Sequence, residues 1–505
     1  MLSVVHKRSK ATFQFSNNVS FNTRATSLNI VKRSLYISSI SEVLNKIISF
    51  VSVVVYARLL TPTELGIFAI ASSIMVFALE IKLLGTASYL IRETKIDESN
   101  VRSALGLAIT ISWSLSLSLI FLSKWFSTYY VLPELSTLIT LLAINFLFSP
   151  FTSSIIALLS REFAFEKIVL VTLPSNAIGF LITLFGIELG YSYYSLAIGQ
   201  TSSAFISFVI ALFVKPSSMR LIPRFSGFSS IAKVGFYTSF INLFGRLESI
   251  FADLFFGKTN GPSFVAIFSR ALGFHTFVRD TLVSGISGVV LPHFSKSYRE
   301  GKSTKRTYIN SNVMITCFIL PPMICATILS EPLILLMFGD QWTDSVVFAK
   351  VLGTWICIKS LTFLVNPALI ILKKEKTLFW VRAGAMLSLF VLIALLNNIE
   401  SVNIAVAFVI SAIIEFLMLS ILVKQNIGIG PWFYINSIRK SLWVVIWCSA
   451  TCYLTFVVFG RYVDPLALIA IEASILVPTW ACSLKLLSHP LRKHLPSVPY
   501  FKMKG

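Results

Sequence analysis

A chain of 505 residues is long enough for two or three soluble domains, but 55% hydrophobic content, 13% charged residues and a mean hydropathy of +0.81 exclude that reading and make the bilayer its solvent. A net charge of +21 and a pI near 9.8 would suit a nucleic-acid binder. In a membrane chain they describe a basic face beside anionic headgroups, and no nucleic-acid partner is expected.

Residues 1–34 are polar and basic, with no acid before Glu42. They read as a cytoplasmic tail rather than a mitochondrial presequence, because the same bias continues through every inner loop; no short apolar region with a cleavage site precedes the first span. Apolar runs of about 20 residues, the length that crosses roughly 30 Å of hydrocarbon, then follow one another. They cover 35–57, 65–91, 103–123, 135–158, 168–188, 193–214, 230–257, 263–291, 310–330, 345–371, 378–396, 402–423, 441–460 and 466–487. The predicted fold is an all-α polytopic membrane protein of about 14 transmembrane helices, with both termini cytoplasmic. Lysine and arginine placement tests the count: 32 of the 43 fall in inner segments or at the inner ends of spans, among them Arg92, Lys95, Arg102 and Lys373, and four (Arg58, Lys124, Lys258, Arg461) in outer loops. One missed or invented helix would scramble that asymmetry for every later loop.

Laying residues 33–85 on 233–285 gives a few identities, including Pro62 with Pro262 and Phe77 with Phe277. Four charges coincide in sign: Arg33 with Lys233, Lys46 with Arg246, Arg58 with Lys258 and Glu80 with Asp280. Random placement would give about one. Spans 1 and 2 are thus repeated as spans 7 and 8, in the same orientation, as expected for a transporter of two parallel six-helix halves. The expected division is a tail (1–34), a first lobe of spans 1–6 (35–215), a cytoplasmic linker (216–229), a second lobe of spans 7–12 (230–424), and spans 13–14 with a tail (425–505).

Charges inside spans are costly, on the order of 2.5–3.5 kcal/mol each at a helix centre, and mark wet cavities or mutual pairs. Leaving aside charges grouped with the flanking loops at span ends, the bases are Lys46, Lys82, Arg246, Arg270, Arg279, Lys350 and Lys359; the acids are Glu42, Glu80, Glu248, Asp253, Asp280, Glu415 and Glu472. Most lie in spans 1, 2, 7 and 8, which should line the cavity. Glu42 and Lys46, four apart, can pair on one helix face, and Arg246 and Asp253 share a face. Arg270 and Arg279, nine apart, fall on opposite faces unless span 8 bends, with Gly273 the place for it. Lys350 and Lys359 are expected near span ends, snorkelling, and His275 as a packed histidine. A basic chamber suits an anionic substrate, and arginine is the residue suited to phosphate. The six cysteines, Cys317, Cys325, Cys357, Cys448, Cys452 and Cys482, all lie in spans and read as packing residues; no metal site or cofactor is expected.

Several stretches resemble the Wzx-type oligosaccharide flippases, the polysaccharide-transporter branch of the multidrug/oligosaccharidyl-lipid/polysaccharide superfamily. They are Ala57-Arg-Leu-Leu-Thr-Pro-Thr-Glu-Leu-Gly66, Leu159-Ser-Arg-Glu-Phe-Ala-Phe165, Phe338-Gly-Asp-Gln-Trp342, and Phe264 to Phe294 with Ser269-Arg-Ala271 and Val290-Leu-Pro-His-Phe294. The resemblance implies a MATE-like fold in a bacterial inner membrane that moves undecaprenyl-pyrophosphate-linked sugar repeat units outward by alternating access. It implies a lipid-linked oligosaccharide and bilayer lipids as partners, with the polymerase and chain-length proteins of the same pathway. Lys46, Arg246, Arg270 and Arg279 would bind the headgroup, while Glu80, Asp253 and Asp280, with Glu42, would serve ion coupling or charge pairing. A drug or small-solute antiporter of the same superfamily would favour an acidic, aromatic cavity. A polymerase or glycosyltransferase would need a catalytic segment, and no outer loop exceeds about 15 residues; no nucleotide, zinc or nucleophile motif appears, so enzyme activity is not expected.

Overall fold

The computed structural model describes residues 21–82, 90, 97–216, 219–301, 303–396, 401–460 and 462–494. The expected tail residues before 21 and after 494, Arg92, Lys95 and Arg461 lie outside them, as does the end of the expected second span. No β-strand occurs among the described residues, and the long helices are α1 (Phe21–Leu59), α2 (Pro62–Lys82), α3 (Glu98–Tyr130), α4 (Glu134–Arg161), α5 (Phe165–Glu188), α6 (Tyr194–Val214), α7 (Phe228–Thr259) and α8 (Pro262–Arg299). They continue as α9 (Thr304–Ile328), α10 (Asp340–Ile371, broken after Leu361), α11 (Glu375–Leu396), α12 (Ser401–Ile427), α13 (Arg439–Phe459) and α14 (Pro465–Leu486).

Among the described residues, twelve helices are long and apolar enough to cross a membrane. The expected count of fourteen is not reached by that measure. α7 and α8, at 32 and 38 residues, have the length but carry Arg246, Glu248, Asp253, Arg270, Arg279 and Asp280. Their mean apolarity is low because they are built around charge.

Local sequence fixes the helix ends. Thr61-Pro-Thr-Glu64 opens α2 with a capping box: Thr61 N–H donates to Glu64 Oε2 at 2.8 Å, Glu64 N–H to Thr61 Oγ1 at 3.3 Å, and Pro62 occupies the first turn, where a missing N–H costs nothing. Pro262 likewise occupies the first turn of α8, which has no side-chain cap and follows Gly261 at φ 84°. Apolar attraction between helices is weak in lipid, so small residues decide how closely they approach. Gly179 and Gly186 of α5 face Ser203, Gly199 and Ser195 of α6.

The packing has an internal correspondence. α1 packs on α5, α2 on α3 and α4, α3 on α4, and α4 and α5 on α6. Adding six to each number gives pairs that are also in contact: α7 on α11, α8 on α9 and α10, α9 on α10, and α10 and α11 on α12. The two sets meet through α2 with α7 and α8, and α3 with α7; α13 joins by packing on α9.

Candidate functional site

One end of this junction is closed. At the α1–α2 turn, Trp342 Nε1–H donates to the Ala57 carbonyl at 2.9 Å and Gln341 Nε2 to the same oxygen at 2.6 Å. In return Arg58 donates to the carbonyls of Met337 at 3.1 Å and Leu336 at 2.5 Å. Tyr130 donates its hydroxyl proton to Leu254 O at 3.1 Å, and Lys258 Nζ reaches Tyr129 O at 2.6 Å. A Cβ on Gly66 would sit 1.8 Å from the Pro262 carbonyl oxygen, so only glycine lets α2 and α8 meet this closely. Just inside, Asp253 accepts from Ser73 at 2.6 Å and from Ser269, joining α2, α7 and α8.

On the other side of this closure lies a cavity of about 540 Å³, walled by α2, α7, α8, α10 and α11. The expected lining by α1, α2, α7 and α8 therefore needs correction: among the described residues α1 contributes no wall residue, and α10 and α11 take its place. Arg246, Arg279, Lys359 and Arg382 bring positive charge to it, and Glu80, Glu248 and Asp280 negative charge.

Two of the four charge pairs matched by the repeat, Lys46 with Arg246 and Glu80 with Asp280, supply two bridges between the helix sets. Arg246 Nε of α7 lies 3.8 Å from Glu80 Oε1 of α2. Lys46 Nζ of α1 donates to the backbone carbonyl of Asp280 on α8 at 3.3 Å, and to Ser284 Oγ. Each set thus lends a cation to the other's helix at the same repeat position. The symmetry fails at the carboxylates. Arg279 holds Asp280 Oδ1 at 2.8 and 3.0 Å, whereas position 79 of the repeat is Leu79 and leaves Glu80 to Arg246.

Not every expected residue converges here. Arg246, Arg279, Glu80 and Asp280 line the cavity; Lys46 bridges at its edge. Glu42 is exposed and forms no ion pair with Lys46 among the described residues, because Lys46 turns towards α8. Arg270 is not a lining residue. Its guanidinium stacks between Phe338 and Trp342, 4.8 Å from each ring centre, and so buttresses the closed end. The nine-residue spacing had set Arg270 and Arg279 on opposite faces, and α8 keeps them there. His275 is fully buried with Nε2 2.7 Å from the Ala349 carbonyl oxygen, a packed histidine.

The expectation that Lys359 snorkels at a span end is wrong. Lys359 occupies the last turn before the break of α10 after Leu361, which lies within the Asp340–Ile371 span and not at its end. There it forms an ion pair with Glu248 of α7 and, at 2.5 Å, with Glu415 of α12. Arg382 of α11, taken in sequence for an inner-segment base, binds the other oxygen of Glu415 and donates to Asn366 Oδ1 at 2.9 Å. Glu415, 2% exposed, was the available signal: a lone acid in a strongly apolar span requires buried cations nearby. At the remaining cysteines no metal site forms among the described residues.

A family model described as polysaccharide biosynthesis protein matches residues 55–347. Over 303 residues the chain is 24% identical to the succinoglycan biosynthesis transport protein ExoT of Rhizobium meliloti (strain 1021), covering 58% of this chain and 60% of that one, less than two thirds of its length. Over 415 residues it is 22% identical to the teichuronic acid biosynthesis protein TuaB of Bacillus subtilis (strain 168), covering 80% and 84%. Among solved structures, the lipid II flippase MurJ in an inward closed conformation superposes with a TM-score of 0.70 at 16% identity, covering 90% of this chain and 100% of the other. An inward-facing multidrug resistance MATE family transporter of the MOP superfamily gives 0.63 at 14% identity, covering 76% and 95%. The fold is MATE-like.

Proposed function

Since the chain belongs to the polysaccharide biosynthesis protein family, a family matched over more than half its length, we propose that it translocates a lipid-linked, diphosphate-bearing oligosaccharide across the bacterial inner membrane for surface polysaccharide assembly. Positive-inside charge supports a cytoplasmic N-terminus; with that orientation the closed α1–α2 end faces outward and the cavity belongs to the cytoplasmic half. Helices α1–α6 and α7–α12 act as two lobes that rock about the α2–α8 contact.

The observation that carries this reading is a cavity whose wall holds three arginines and a lysine. Guanidinium groups offer paired N–H donors matched to phosphate oxygens, and each charge-assisted bond is shorter and stronger than a neutral one. Arg246 and Arg279 are the primary grip for the diphosphate, with Lys46 at the α1–α8 edge, while the glycan occupies the cavity and the polyprenyl tail stays in lipid. Arg270 acts on the outer closure instead of touching the headgroup in this state. Glu80 and Asp280, the counterions of Arg246 and Arg279, exchange partners as the diphosphate enters, and Asp253, with two serine donors between three helices, is the candidate for ion coupling at the closure. Polymerase and chain-length proteins are the partners expected downstream.

The test is surface glycan in cells deleted for this gene. Restoration by the wild type, and loss of it with Arg279→Gln at unchanged membrane abundance, is the expected result. Full glycan with the combined Arg246→Gln and Arg279→Gln variant would refute the anion grip.

A further inference from the structure

The wall charges cancel. Arg246, Arg279, Lys359 and Arg382 are met by Glu80, Glu248 and Asp280 at the surface and by Glu415 behind it. An empty cavity of this kind is neutral, and a diphosphate diester brings two negative charges. It can be held only if cations are released from their carboxylates.

Glu248 and Glu415 differ in their freedom to let go. Glu415 is buried behind the wall and clamps Lys359 with one oxygen and Arg382 with the other. A single carboxylate therefore holds an ammonium and a guanidinium side by side, close enough for both to reach one phosphate. Glu248 stands on the cavity surface, and its partner Lys359 keeps Glu415 when Glu248 leaves. Lys359 and Arg382 come from α10 and α11, so they add a second group of cations to the cavity wall.

Resting on the anion-transport reading above, we propose that Glu248 is a built-in stand-in for a substrate phosphate. It occupies Lys359 in the empty cavity, gives way when the diphosphate takes Lys359 and Arg382, and then accepts a proton from water on its uncovered carboxylate. The charges facing it are Arg246 on its own helix, Glu80 of α2, Arg279 and Asp280 of α8, Lys359 of α10, Arg382 of α11 and Glu415 of α12. The two negative charges of the seated substrate repel the carboxylate that has given up Lys359, and a proton taken up there relieves the repulsion. Binding thus takes up protons and strengthens as pH falls.

The probe is geranyl diphosphoglucose, whose two phosphates each bear one charge and do not titrate near neutrality, added to the full chain in detergent. Calorimetry in buffers of different ionisation enthalpy should show uptake of about one proton per ligand. Wild-type affinity should rise from pH 8 to pH 6. Glu248→Gln should bind about tenfold more tightly at pH 8, a change of roughly 1.4 kcal/mol, with a flattened pH profile. Combining it with Lys359→Met should abolish the gain. Binding without proton uptake, or Glu248→Gln no tighter than wild type, overturns this proposal and leaves the anion cavity standing. Should the variant fail to fold, proton uptake by the wild type decides alone. No binding by the wild type at either pH overturns both.

Discussion

Replacing Glu415 with leucine removes a carboxylate, 2% exposed, that neutralises two buried cations. Glu248 is then the one carboxylate left for two cations: it pairs with Lys359 and acts on Arg382 at longer range, while Arg382 keeps its hydrogen bond to the neutral Asn366. Stranding one charge in such a setting costs about 3–5 kcal/mol, more than the new packing of leucine returns. The second step is more telling. Adding Arg382→Met to Glu415→Leu restores electrical balance, with Lys359 and Glu248 left as a neutral pair. The double variant should recover more than half of the loss, although it departs further from the native sequence. Half-lives at fixed temperature in a mild detergent, followed by size-exclusion monodispersity, suit a chain of this size, whose unfolding is governed by rates. A double variant less stable than Glu415→Leu alone, or a single variant as stable as wild type, would refute the charge-balance reasoning.

Three other outcomes are expected. Gly66→Val puts side-chain atoms against the Pro262 carbonyl and should prise the outer closure apart; an engineered Ala71→Cys, buried at the α2 interface, should then react with an impermeant maleimide at least several times faster in a background lacking the exposed Cys482, and unchanged labelling would count against the closure. Arg270→Met should loosen the Phe338–Trp342 loop by about 1–2 kcal/mol of lost cation–π stabilisation, visible as faster labelling at the same position, while geranyl diphosphoglucose affinity stays within twofold of wild type. Burial, with the Lys440 charge second, lowers the His489 pKa to about 4 from an ordinary value near 6.5. Its Nδ1 accepts from Leu491 N–H at 3.1 Å, which assigns the proton to Nε2, facing Ser441 Oγ at 3.0 Å. The folded state favours the neutral ring, so this contribution is complete above pH 6.5 and falls by about tenfold in the folding equilibrium per pH unit down to about 4; His489→Gln should remove that slope from stability measured against pH.

What the sequence revealed and what it concealed have physical causes. Hydropathy and loop charge made the helical membrane fold readable, because both follow from the solvent on each side of a helix. The offset of 200 identified Lys46, Arg246, Glu80 and Asp280 before any contact was known, and the structure joins these four positions across the junction. The same comparison could not anticipate that Arg279, which faces leucine in the repeat, would take the Asp280 carboxylate. Arg270 was legible as an intramembrane cation but not as a ring-stacked one, since Phe338 and Trp342 are nearly seventy residues away in sequence. The Lys359–Glu248–Glu415–Arg382 network was missed because its members sit on four helices, and nothing along one helix pairs them. Only the need of Glu415 for a counterion pointed that way.

The most direct test places the purified chain in liposomes carrying a fluorescent polyprenyl-diphosphate oligosaccharide in the membrane and reads its transfer between leaflets by quenching from outside. Wild-type chain should equalise the leaflets, Arg246→Gln with Arg279→Gln should not, and Glu248→Gln should bind the lipid but release it slowly. Transfer at the wild-type rate by the double arginine variant would contradict the account.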